Sequence, residues 1–594
     1  MEKYSKENPQ SKVVDIELIK KLYIYLRLYR YFLMISIFFL LISKVIEAFV
    51  PIFIGRLSQQ MLDGISLGLT EKHILLNHII SGCWLILGLL VVSYLLDSLN
   101  VFLKSWVGQK SLFSLRQDVY QHILCQPLSY FDHHTVGRMM TRTIHDVDQI
   151  NQMFTESVVP ILGNIFLFIC IFIGIAVVDW KIALFIFAVM PIVFYLTNRF
   201  RYYQRICYDK VRTIVSAMNT FFQEHLMGAA TIRNFGLQMQ SKTQFEAINK
   251  DHRDAYLESI HHFSFFIAGI DLLQNFSLIL VFILLVLFNP IGSEFQAGTF
   301  FTFSLYGLMI FRPLADLAER YNVFQAALAA AGRIFDVMNR KIEDFSPKHE
   351  LDKIHSIAFE DVWFAYEKEN WVLKGLSFEV KQGESLAIVG VTGEGKTTII
   401  SLLLRFYDYQ KGKITINGQD IRDYSLSDLR RQFSVVLQDP VIFSGTVSDN
   451  IGLYDPSITK EKIYSVADYL NFLPIIQRFP DGWDHFLGER GKSLSIGEMQ
   501  LISIARAIAH YRSALILDEA TANIDSVTEM MIQNALTKIL KEKTAIVIAH
   551  RLSTIRDASR ILVLHHGKAA ETGTHQELLA AQGIYEKLYR LQFV

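Results

Sequence analysis

The sequence contains 594 residues, which is too many for a single hydrophobic core, so we expect two or more domains. Hydrophobic residues make up 51% of the chain and charged residues 20%, while 58 Lys and Arg residues balance 58 Asp and Glu residues. This composition favours membrane-embedded segments and argues against a nucleic-acid partner, which would require a basic surplus. The four cysteines are far apart and form no C-x-x-C pair, so we expect a chain that faces a reducing cytoplasm, without a disulfide framework or a cysteine metal site.

Apolar runs near twenty residues recur through the first half of the chain. The first residues are polar and the first apolar run is too long for a cleaved signal, so it is predicted to stay in the membrane. As helices rising about 1.5 Å per residue, such runs can cross roughly 30 Å of hydrocarbon. Arg312 and Pro313 interrupt the end of the last run. The six predicted spans are 31–54, 79–103, 158–178, 182–200, 263–287 and 299–314.

The distribution of Lys and Arg predicts how these spans are oriented. Basic residues concentrate before the first span and in the loop 201–262, whereas the loops on the other side carry few or none. Both termini and the long loops 104–157 and 201–262 are therefore predicted to be cytoplasmic, in a multi-pass protein of the inner or plasma membrane. Because these loops are helical in pattern, we expect the spanning helices to continue into the cytoplasm as paired rods, each pair closed by a short turn.

A few polar residues interrupt the apolar runs, and others cluster elsewhere. Polar groups inside a membrane usually face a cavity or a partner helix, so a substrate-lining role and simple helix pairing both stay open for Lys44, Glu47, Asp97 and Asp271. The histidines offer no ligand spacing typical of a metal site. We interpret His122, His133 and His134 near Cys125 as loop residues, and the pairs His261–His262 and His565–His566 as surface or interfacial residues.

The pattern changes after residue 339. A charged linker, 340–353, leads to short β-rich runs that alternate with helices, which predicts an α/β domain with a largely parallel sheet and with ligands at the carboxyl ends of its strands. The predicted strands are 356–365, 385–389, 413–416, 433–437, 514–517, 545–548 and 561–564.

One loop of this domain, 390–398, fits the phosphate-binding pattern G-x-x-x-x-G-K-[ST]. It follows the strand 385–389 and opens into a predicted helix, 398–406, so backbone N–H groups and a helix dipole point at one small volume. Lys396 would reach the β and γ phosphates of a nucleotide, and Thr397 would hold Mg²⁺. The pattern alone leaves an ordinary Gly-rich turn open. The predicted nucleotide-binding residues of the loop are Gly390, Thr392, Gly393, Glu394, Gly395, Lys396, Thr397 and Thr398.

A second stretch, 514–519, is a buried-strand run that ends in two carboxylates. Asp518 suits the surroundings of Mg²⁺, and Glu519 can polarise an attacking water molecule. Phosphoryl transfer to water needs little more than a metal ion, a positioned water and charge neutralisation. Together with Lys396 and Thr397, the two carboxylates predict an ATP hydrolase.

A third stretch, 494–500 with the sequence LSIGEMQ, precedes a predicted helix, 501–510. With the motifs above, it resembles the signature motif of ATP-binding-cassette proteins. The resemblance implies that two such domains meet head to tail, so that Ser495, Gly497 and the helix N-terminus cap the γ phosphate held by the partner's loop.

The resemblance implies roles for further residues. Tyr366 resembles the aromatic residue that stacks on adenine, and Gln438 the glutamine that touches Mg²⁺. Asp525 lies where the family's chain crosses to the partner, and His550 resembles the histidine that contacts the γ phosphate. The segment 488–491 resembles one that communicates with the partner's helical rods in exporters.

The membrane half resembles exporter half-transporters. Segments 126–132 and 135–138, and later Glu224 with Gly228, look like the cytoplasmic turns that dock into nucleotide domains. The resemblance implies an all-α polytopic membrane domain of six transmembrane helices that extend into the cytoplasm, followed by an α/β P-loop nucleotide-binding domain that uses ATP and Mg²⁺. The expected boundaries are 1–30 for an N-terminal segment, 31–339 for the membrane domain, 340–353 for the linker and 354–594 for the nucleotide-binding domain.

The motifs depart from the family pattern at several positions. Ile496 replaces the usual Gly, Glu498 the common Gln, and Glu394 a small residue. A carboxylate aimed at a triphosphate would be repelled, so we expect Glu394 to point away from it. These departures resemble one subunit of heterodimeric bacterial multidrug exporters, so we favour a heterodimer with a second half-transporter and keep a homodimer open.

The function expected from this resemblance is ATP-driven export by alternating access. The cargo is expected to be a small amphipathic or hydrophobic compound of the multidrug type, with a lipid or a peptide as the second choice. An ATP-gated channel or regulatory subunit on the same scaffold is the alternative of a different class.

Overall fold

The computed structural model describes residues 16–63, 69–288, 297–346, 349–367, 369–518, 524–549 and 552–593. These residues form two compact units. The helical unit contains the described residues up to Leu124 and the segment Thr135–Arg340. The α/β unit contains Cys125–His134 and the described residues from Lys341 onward.

Long helices dominate the first half of the chain. In chain order the helices are α1 (Ile16–Arg27), α2 (Arg30–Asp63), α3 (Leu69–Leu124), α4 (Leu128–His133), α5 (Val136–Thr141), α6 (Val147–Gln152), α7 (Val159–Val178), α8 (Trp180–Met227), α9 (Ala229–Asn234), α10 (Gln238–Phe288), α11 (Ala297–Met338), α12 (Lys396–Leu403), α13 (Leu426–Gln432), α14 (Val447–Gly452), α15 (Lys460–Tyr469), α16 (Leu473–Ile476), α17 (Ile496–Ala509), α18 (Ser526–Glu542), α19 (Leu552–Asp557), α20 (His575–Ala580) and α21 (Ile584–Phe593). Two π-helical segments, Arg142–Asp146 and Met153–Val158, join α5, α6 and α7.

Apolar helices long enough to cross a membrane coincide with the predicted spans. Among the described residues, four helices qualify by length and composition, and one shorter apolar helix accompanies them. They overlap five of the six predicted spans. The remaining one, 182–200, lies within α8, where several side chains are outside the described part of the chain. The qualifying segments are Arg30–Asp63, Leu75–Leu124, Val136–Val178 and Gln238–Ile283, and the shorter helix is Gly298–Ile310.

The long helices continue well beyond a membrane's thickness. Helix α3 has 56 residues and spans about 84 Å, whereas the hydrocarbon core of a bilayer is about 30 Å thick. Helices α8 and α10 pair along their length. Gln204 donates a hydrogen bond to Ser259 at 2.7 Å, and the rings of Phe222 and Phe245 lie 5.0 Å apart. The short helix α9 closes this pair, as expected for paired rods.

Two of the polar residues in the predicted spans pair with each other. Lys44 Nζ lies 2.6 Å from Glu47 Oε2, one turn along α2. Next to Asp97, Asn100 accepts a hydrogen bond of 2.7 Å from Ser36 of the neighbouring helix. The Lys44–Glu47 ion pair lies within one helix, so helix pairing and a substrate-lining role both stay hypotheses for these residues.

The α/β unit contains two larger sheets and one short pair of antiparallel strands. The strands are β1 (Ser356–Phe364), β2 (Leu373–Lys381), β3 (Ser385–Val389), β4 (Lys411–Ile416), β5 (Gln419–Asp420), β6 (Phe433–Val436), β7 (Gly445–Thr446), β8 (Phe486–Leu487), β9 (Ala514–Asp518), β10 (Ala545–Ile548), β11 (Arg560–His565) and β12 (Lys568–Gly573). One sheet has the order β2-β1-β4-β5 and is antiparallel. The other has the order β12-β11-β3-β10-β9-β6 and is parallel from β11 to β6, with β12 added antiparallel at its edge.

The parallel sheet lies between two apolar clusters. Leu515 and Leu517 of β9 belong to one cluster, and Ile516 belongs to the other. All five residues of β9 are buried, because a strand covered on both faces needs apolar side chains in both directions. This explains why β3, β9 and β10 are predictable as continuous apolar runs, and the prediction of a largely parallel α/β domain is confirmed.

Two predicted helix boundaries are wrong. The helix expected at 398–406 is α12, which begins at Lys396 and ends at Leu403. The helix expected at 501–510 is α17, which begins five residues earlier, at Ile496. In both cases the residue before the helix determines the start: Gly395 has a φ of 97°, and Ser495 accepts a hydrogen bond from the N–H of Glu498.

Candidate functional site

The phosphate-loop residues lie where a central strand turns into a helix. Strand β3 is fully buried between β10 and β11, and the chain passes through 390–395 into α12. Gly393 and Gly395 have φ values of 90° and 97°, a left-handed conformation that L side chains rarely adopt. A Cβ on Gly390 would lie 2.6 Å from the carbonyl oxygen of Leu564. The glycines are thus required by the backbone path of the loop itself.

The Lys396 ammonium group lies folded into the loop. Its Nζ donates to the carbonyl oxygens of Gly390 at 2.7 Å and Val391 at 3.0 Å, and the residue is buried. Burial lowers the pKa of Lys396, while the carboxylates of Asp518 and Glu394 act in the opposite direction. The Lys396 ammonium group is thus held only by neutral carbonyl oxygens, which are weak acceptors. Lys396 is also the first residue of α12, and a helix N-terminus favours a bound anion.

Asp518 ends β9 at the same sheet edge as the loop. The residue is buried, and burial raises the pKa of its carboxyl group; the nearby Lys396 ammonium and a hydrogen bond with Thr397 oppose the shift, and Asp439 adds to it. The structure therefore brings together Lys396, Thr397 and Asp518. A hydroxyl and a carboxylate are oxygen ligands of the kind that Mg²⁺ prefers, so this donor set fits the expected ion.

Three other predicted residues differ in how far they can be placed. Gln438 is exposed and follows β6, whose neighbour in the parallel sheet is β9, so its segment leaves the sheet at the same edge as Asp518. Glu519 and His550 lie outside the described residues. Their positions next to the ends of β9 and β10 follow from the sequence alone.

Tyr366, the predicted adenine-stacking residue, is anchored at its hydroxyl. The hydroxyl lies 3.1 Å from Thr398 Oγ1, and the side chain is half exposed. The ring meets Phe364 and Tyr407 edge to face, at centroid distances of 4.8 and 5.1 Å. Thr398 thus orients the aromatic ring, a role that the motif alone does not indicate.

Tyr407 is a residue that the sequence reasoning missed. Its hydroxyl donates a hydrogen bond to Asp132 of the short helix α4, and burial together with this carboxylate raises the pKa of Tyr407. A continuous path therefore runs from Tyr366 through Tyr407 to Asp132, all within the α/β unit. The signal that could have found it is the aromatic cluster Phe406–Tyr407–Asp408–Tyr409 just after α12.

The signature residues form the start of α17. Ser495 Oγ accepts from the N–H of Glu498 at 3.2 Å, and the Glu498 carboxylate accepts from the N–H of Ser495 at 2.8 Å, which is a capping box. A Cβ on Gly497 would lie 2.5 Å from Thr528 and 2.8 Å from Ile524, so this glycine allows close packing next to α18. The Ser495–Glu498 hydrogen bonds and the closest contacts of Gly497 all lie within residues 495–528. None of them involves the phosphate loop.

Asp525 caps the following helix. Its side chain accepts from the N–H of Thr528 at 2.9 Å at the start of α18, and hydrogen bonds from Thr528 lower the pKa of Asp525. The residue has a local structural role whether or not it also faces a partner.

Glu394 points to another part of its own chain. Its Oε2 accepts from the N–H of Gly567 at 3.3 Å, and its Oε1 lies 3.7 Å from Nδ1 of His565, in the turn between β11 and β12. The carboxylate is therefore engaged by this turn, which accounts for how a charged residue is accommodated inside the loop.

Comparisons with known proteins cover nearly the whole chain. Residues 33–314 match the family described as ABC transporter transmembrane region, and residues 373–522 match the family described as ABC transporter. The "Probable multidrug resistance ABC transporter ATP-binding/permease protein YheH" of Bacillus subtilis is 34% identical over 517 residues, 85% of this chain and 76% of its own. The "ATP-dependent lipid A-core flippase" of Vibrio cholerae is 32% identical over 583 residues, 97% of each chain. A solved structure, "Structure of a bacterial Atm1-family ABC exporter with ATP bound", superposes with a TM-score of 0.77 at 25% identity and covers 95% of this chain and 98% of its own.

Proposed function

Because the chain belongs to the ATP-binding-cassette exporter family and is an ATP hydrolase coupled to transmembrane transport, we propose that it is a half-transporter that exports amphipathic compounds of the multidrug type. The observation that carries the proposal is the convergence of Lys396, Thr397 and Asp518 beside the N-terminus of α12. This arrangement provides a cation, a hydroxyl and a carboxylate around one anion-binding loop.

In the proposed mechanism, Lys396 exchanges its two carbonyl acceptors for phosphate oxygens. Charge-assisted hydrogen bonds are about twice as strong as neutral ones, so the exchange is favourable when a triphosphate enters. Backbone N–H groups of 390–395 orient the phosphates, Tyr366 stacks on the adenine, and Thr398 holds the Tyr366 hydroxyl. Gly393 and Gly395 let the backbone approach the phosphates closely.

Thr397, Asp518 and Gln438 would hold Mg²⁺, which neutralises charge on the β and γ phosphates. Glu519 orients and polarises the attacking water, and His550 contacts the γ phosphate. Positioning and charge neutralisation supply most of the catalysis in phosphoryl transfer, so these groups form a sufficient set.

The signature motif that completes the ATP site would come from another half-transporter. Ser495 and Gly497 lie at the start of α17, an anion-favouring position that a second domain's ATP could meet. ATP is proposed to close the two nucleotide-binding domains on each other. To shift the equilibrium between separated and closed domains from 1:99 to 99:1, ATP must favour the closed state by about 5.5 kcal/mol, which several charge-assisted phosphate contacts can supply.

We favour a heterodimer, although the structure gives local explanations for two of the three departures from the family pattern. Glu498 forms a capping box and Glu394 contacts its own chain's β11–β12 turn, so neither departure requires a special partner. Ile496 is 47% exposed at the start of α17, where a second chain can contact it, and the preference for a different chain rests on its departure from the family pattern. The same proposal includes location in the inner or plasma membrane. The nucleotide-binding domain, predicted to begin near residue 354, would lie on the cytoplasmic side.

Relatives of this chain differ in cargo. One is named for multidrug resistance and others for lipid A-core flipping, so a lipid is the second candidate cargo. An ATP-gated channel is disfavoured, because the sequence contains a complete hydrolytic set: Lys396, Thr397 and Asp518, followed by Glu519. Conductance without substrate-stimulated turnover would reverse that preference.

The test is the ATPase rate of the full chain together with its partner half-transporter in lipid nanodiscs, for the wild type and for Glu519→Gln. The amide cannot polarise water but preserves the size of the side chain, so we expect turnover to fall at least about a hundredfold while ATP binding persists. Amphipathic compounds should stimulate the wild type only.

The same purification tests the pairing. The tagged chain is expressed together with an untagged copy of itself, and we expect it to co-purify with a different half-transporter. Co-purification with the untagged copy alone would contradict the heterodimer. Substantial ATP turnover by the Glu519→Gln variant would contradict the proposed catalytic role.

A further inference from the structure

Three potential metal ligands meet where the phosphate loop passes the end of β11: Glu394 belongs to the loop, His565 ends β11 and His566 follows it. Ligand atoms of Glu394, His565 and His566 all lie within 4.8 Å of one another. We propose that these residues form a binding site for a divalent transition-metal ion, with Zn²⁺ as the representative ion. This proposal rests on the cluster's own geometry and does not depend on the cargo or on ATP hydrolysis.

The topology of the parallel sheet places these residues together. Strands β11 and β3 are neighbours in parallel register, with Leu562 opposite Ile388 and Val563 opposite Val389. Parallel strands end at the same sheet edge, so the turn after β11 and the loop after β3 emerge side by side. Residues 565 and 566 therefore meet residue 394, although they lie 171 and 172 positions after it in the sequence.

Close backbone contacts hold the turn in place. The carbonyl of Gly567 accepts from the N–H of Lys374 at 2.9 Å, and a Cβ on Gly567 would lie 2.2 Å from the carbonyl oxygen of Val372. His566 has a φ of 52°, a left-handed conformation that turns the chain sharply. The two histidines therefore have defined backbone positions.

The distances between the ligand atoms are close to those of a bound ion. Glu394 Oε1 and His565 Nδ1 lie 3.7 Å apart, and all three ligand atoms lie within 4.8 Å of one another. Metal–ligand bonds of about 2.0–2.1 Å in tetrahedral geometry require ligand atoms roughly 3.3 Å apart. Side-chain rotations that move these atoms by about 1 Å would complete the site.

The Glu394 carboxylate is already oriented. Its Oε2 accepts a hydrogen bond from the N–H of Gly567, which leaves Oε1 directed at His565. Hydrogen bonds to the non-ligating atoms of a metal ligand typically fix its orientation and support affinity. The side chain of Glu394 is 14% exposed and that of His565 is 41% exposed, so the site is shielded on one side and open to ions on the other.

The donor set selects the class of metal. Two imidazoles and one carboxylate suit zinc and neighbouring first-row ions, whereas Mg²⁺ prefers oxygen ligands alone. Three protein ligands leave at least one position for water, as in open zinc sites. The cluster is therefore chemically distinct from the proposed Mg²⁺ ligands Thr397 and Asp518.

A second cluster of possible ligands offers a built-in control. Cys207, Glu258 and His262 in the helical unit also lie within 4.8 Å of one another. There, however, Glu258 forms an ion pair with Lys210 at 2.9 Å, and the His262 ring stacks on Tyr203. These contacts compete with a metal ion, so we expect this cluster to contribute little to binding.

The experiment titrates Zn²⁺ alone into the full chain, purified with a histidine-free tag, stripped of metal and kept free of nucleotide. A competing fluorescent chelator reports affinity and stoichiometry. We expect one ion per chain in the wild type and at least a tenfold weaker affinity in His565→Asn/His566→Asn and in Glu394→Ala. The matched control, His261→Asn/His262→Asn, removes an adjacent histidine pair elsewhere and should bind like the wild type.

A second readout guards against misfolding. Because an ion that binds only the folded state stabilises it, Zn²⁺ should raise the melting temperature of the wild type and of the control, and not that of the Glu394→Ala chain. Residue 394 is a small residue in the family pattern, so this variant is expected to fold. Unchanged Zn²⁺ affinity in Glu394→Ala, or loss of binding in the control instead, would overturn the proposal.

Discussion

At the scale of single residues, the proposed ATP site contains two groups, Lys396 and Asp518, whose burial disfavours their charged forms. Burial lowers the pKa of Lys396 and raises the pKa of Asp518, and each charge opposes the shift of the other. The pattern G-x-x-x-x-G-K-[ST] was sufficient to propose Lys396 and Thr397 as site residues, and both lie near Asp518 in the structure. It could not predict Tyr407 or the contact of Glu394 with His565, because both depend on segments that meet only in the folded chain.

The raised pKa of Asp518 makes Mg²⁺ binding pH-dependent. Mg²⁺ requires the ionised carboxylate, so its binding releases a proton, and affinity should fall as the pH drops through the raised pKa, which lies above the ordinary value of about 3.9. In Asp518→Asn the amide cannot titrate, so its weaker affinity should depend less on pH. The measurement is Mg²⁺-dependent binding of a non-hydrolysable ATP analogue to the full chain as the pH is lowered from neutrality.

The nucleotide's own titration is common to both chains, so only the difference between their slopes is informative. Asp439→Asn removes an exposed carboxylate that raises the pKa of Asp518, so this variant should keep a pH-dependent affinity, with the fall shifted to lower pH. Equal slopes for the wild type and Asp518→Asn would show that Asp518 is not the titrating ligand.

At the scale of elements, apolar periodicity predicted the buried strands well and helix starts poorly. Strand β9 is buried on both faces and therefore appears as an uninterrupted apolar run. Strand β12, KAAETG, alternates between exposed and half-buried positions at the sheet edge and was missed. The start of α17 was missed because Ile496 and Gly497 are weak helix formers, although the spacing Ser495-x-x-Glu498 already indicated a capping box.

Gly497 should be required for the packing of α17 beside α18. In Gly497→Ala the new methyl group would collide with Thr528 and Ile524, and overpacking of this kind costs about 1–3 kcal/mol. We therefore expect a lower melting temperature for the α/β unit in a thermal unfolding experiment on the full chain. The control is Gly488→Ala, where a Cβ meets nothing within 4 Å. An unchanged melting temperature for Gly497→Ala, or an equal loss in Gly488→Ala, would refute this packing role.

At the scale of the whole molecule, the chain combines a helical unit with an α/β unit that carries an ATP site. Hydropathy predicted the fold class because membrane spans and buried parallel strands both require continuous apolar runs. Hydropathy alone did not predict that α4 and Asp132 cluster with the α/β unit, since short amphipathic turns carry little periodic signal; the resemblance of segment 126–132 to a docking turn did predict it. Cargo is the least predictable property, because similar relatives are named for different substrates.

The central claim is that ATP hydrolysis at this site drives export. It is tested most directly in inside-out membrane vesicles that contain the full chain with its partner, by following accumulation of a cationic amphipathic dye on addition of ATP and Mg²⁺. We predict accumulation that requires ATP hydrolysis and falls to background in Glu519→Gln. Dye accumulation that is equal in this variant, or ATP-dependent ion conductance without any accumulation, would contradict the account.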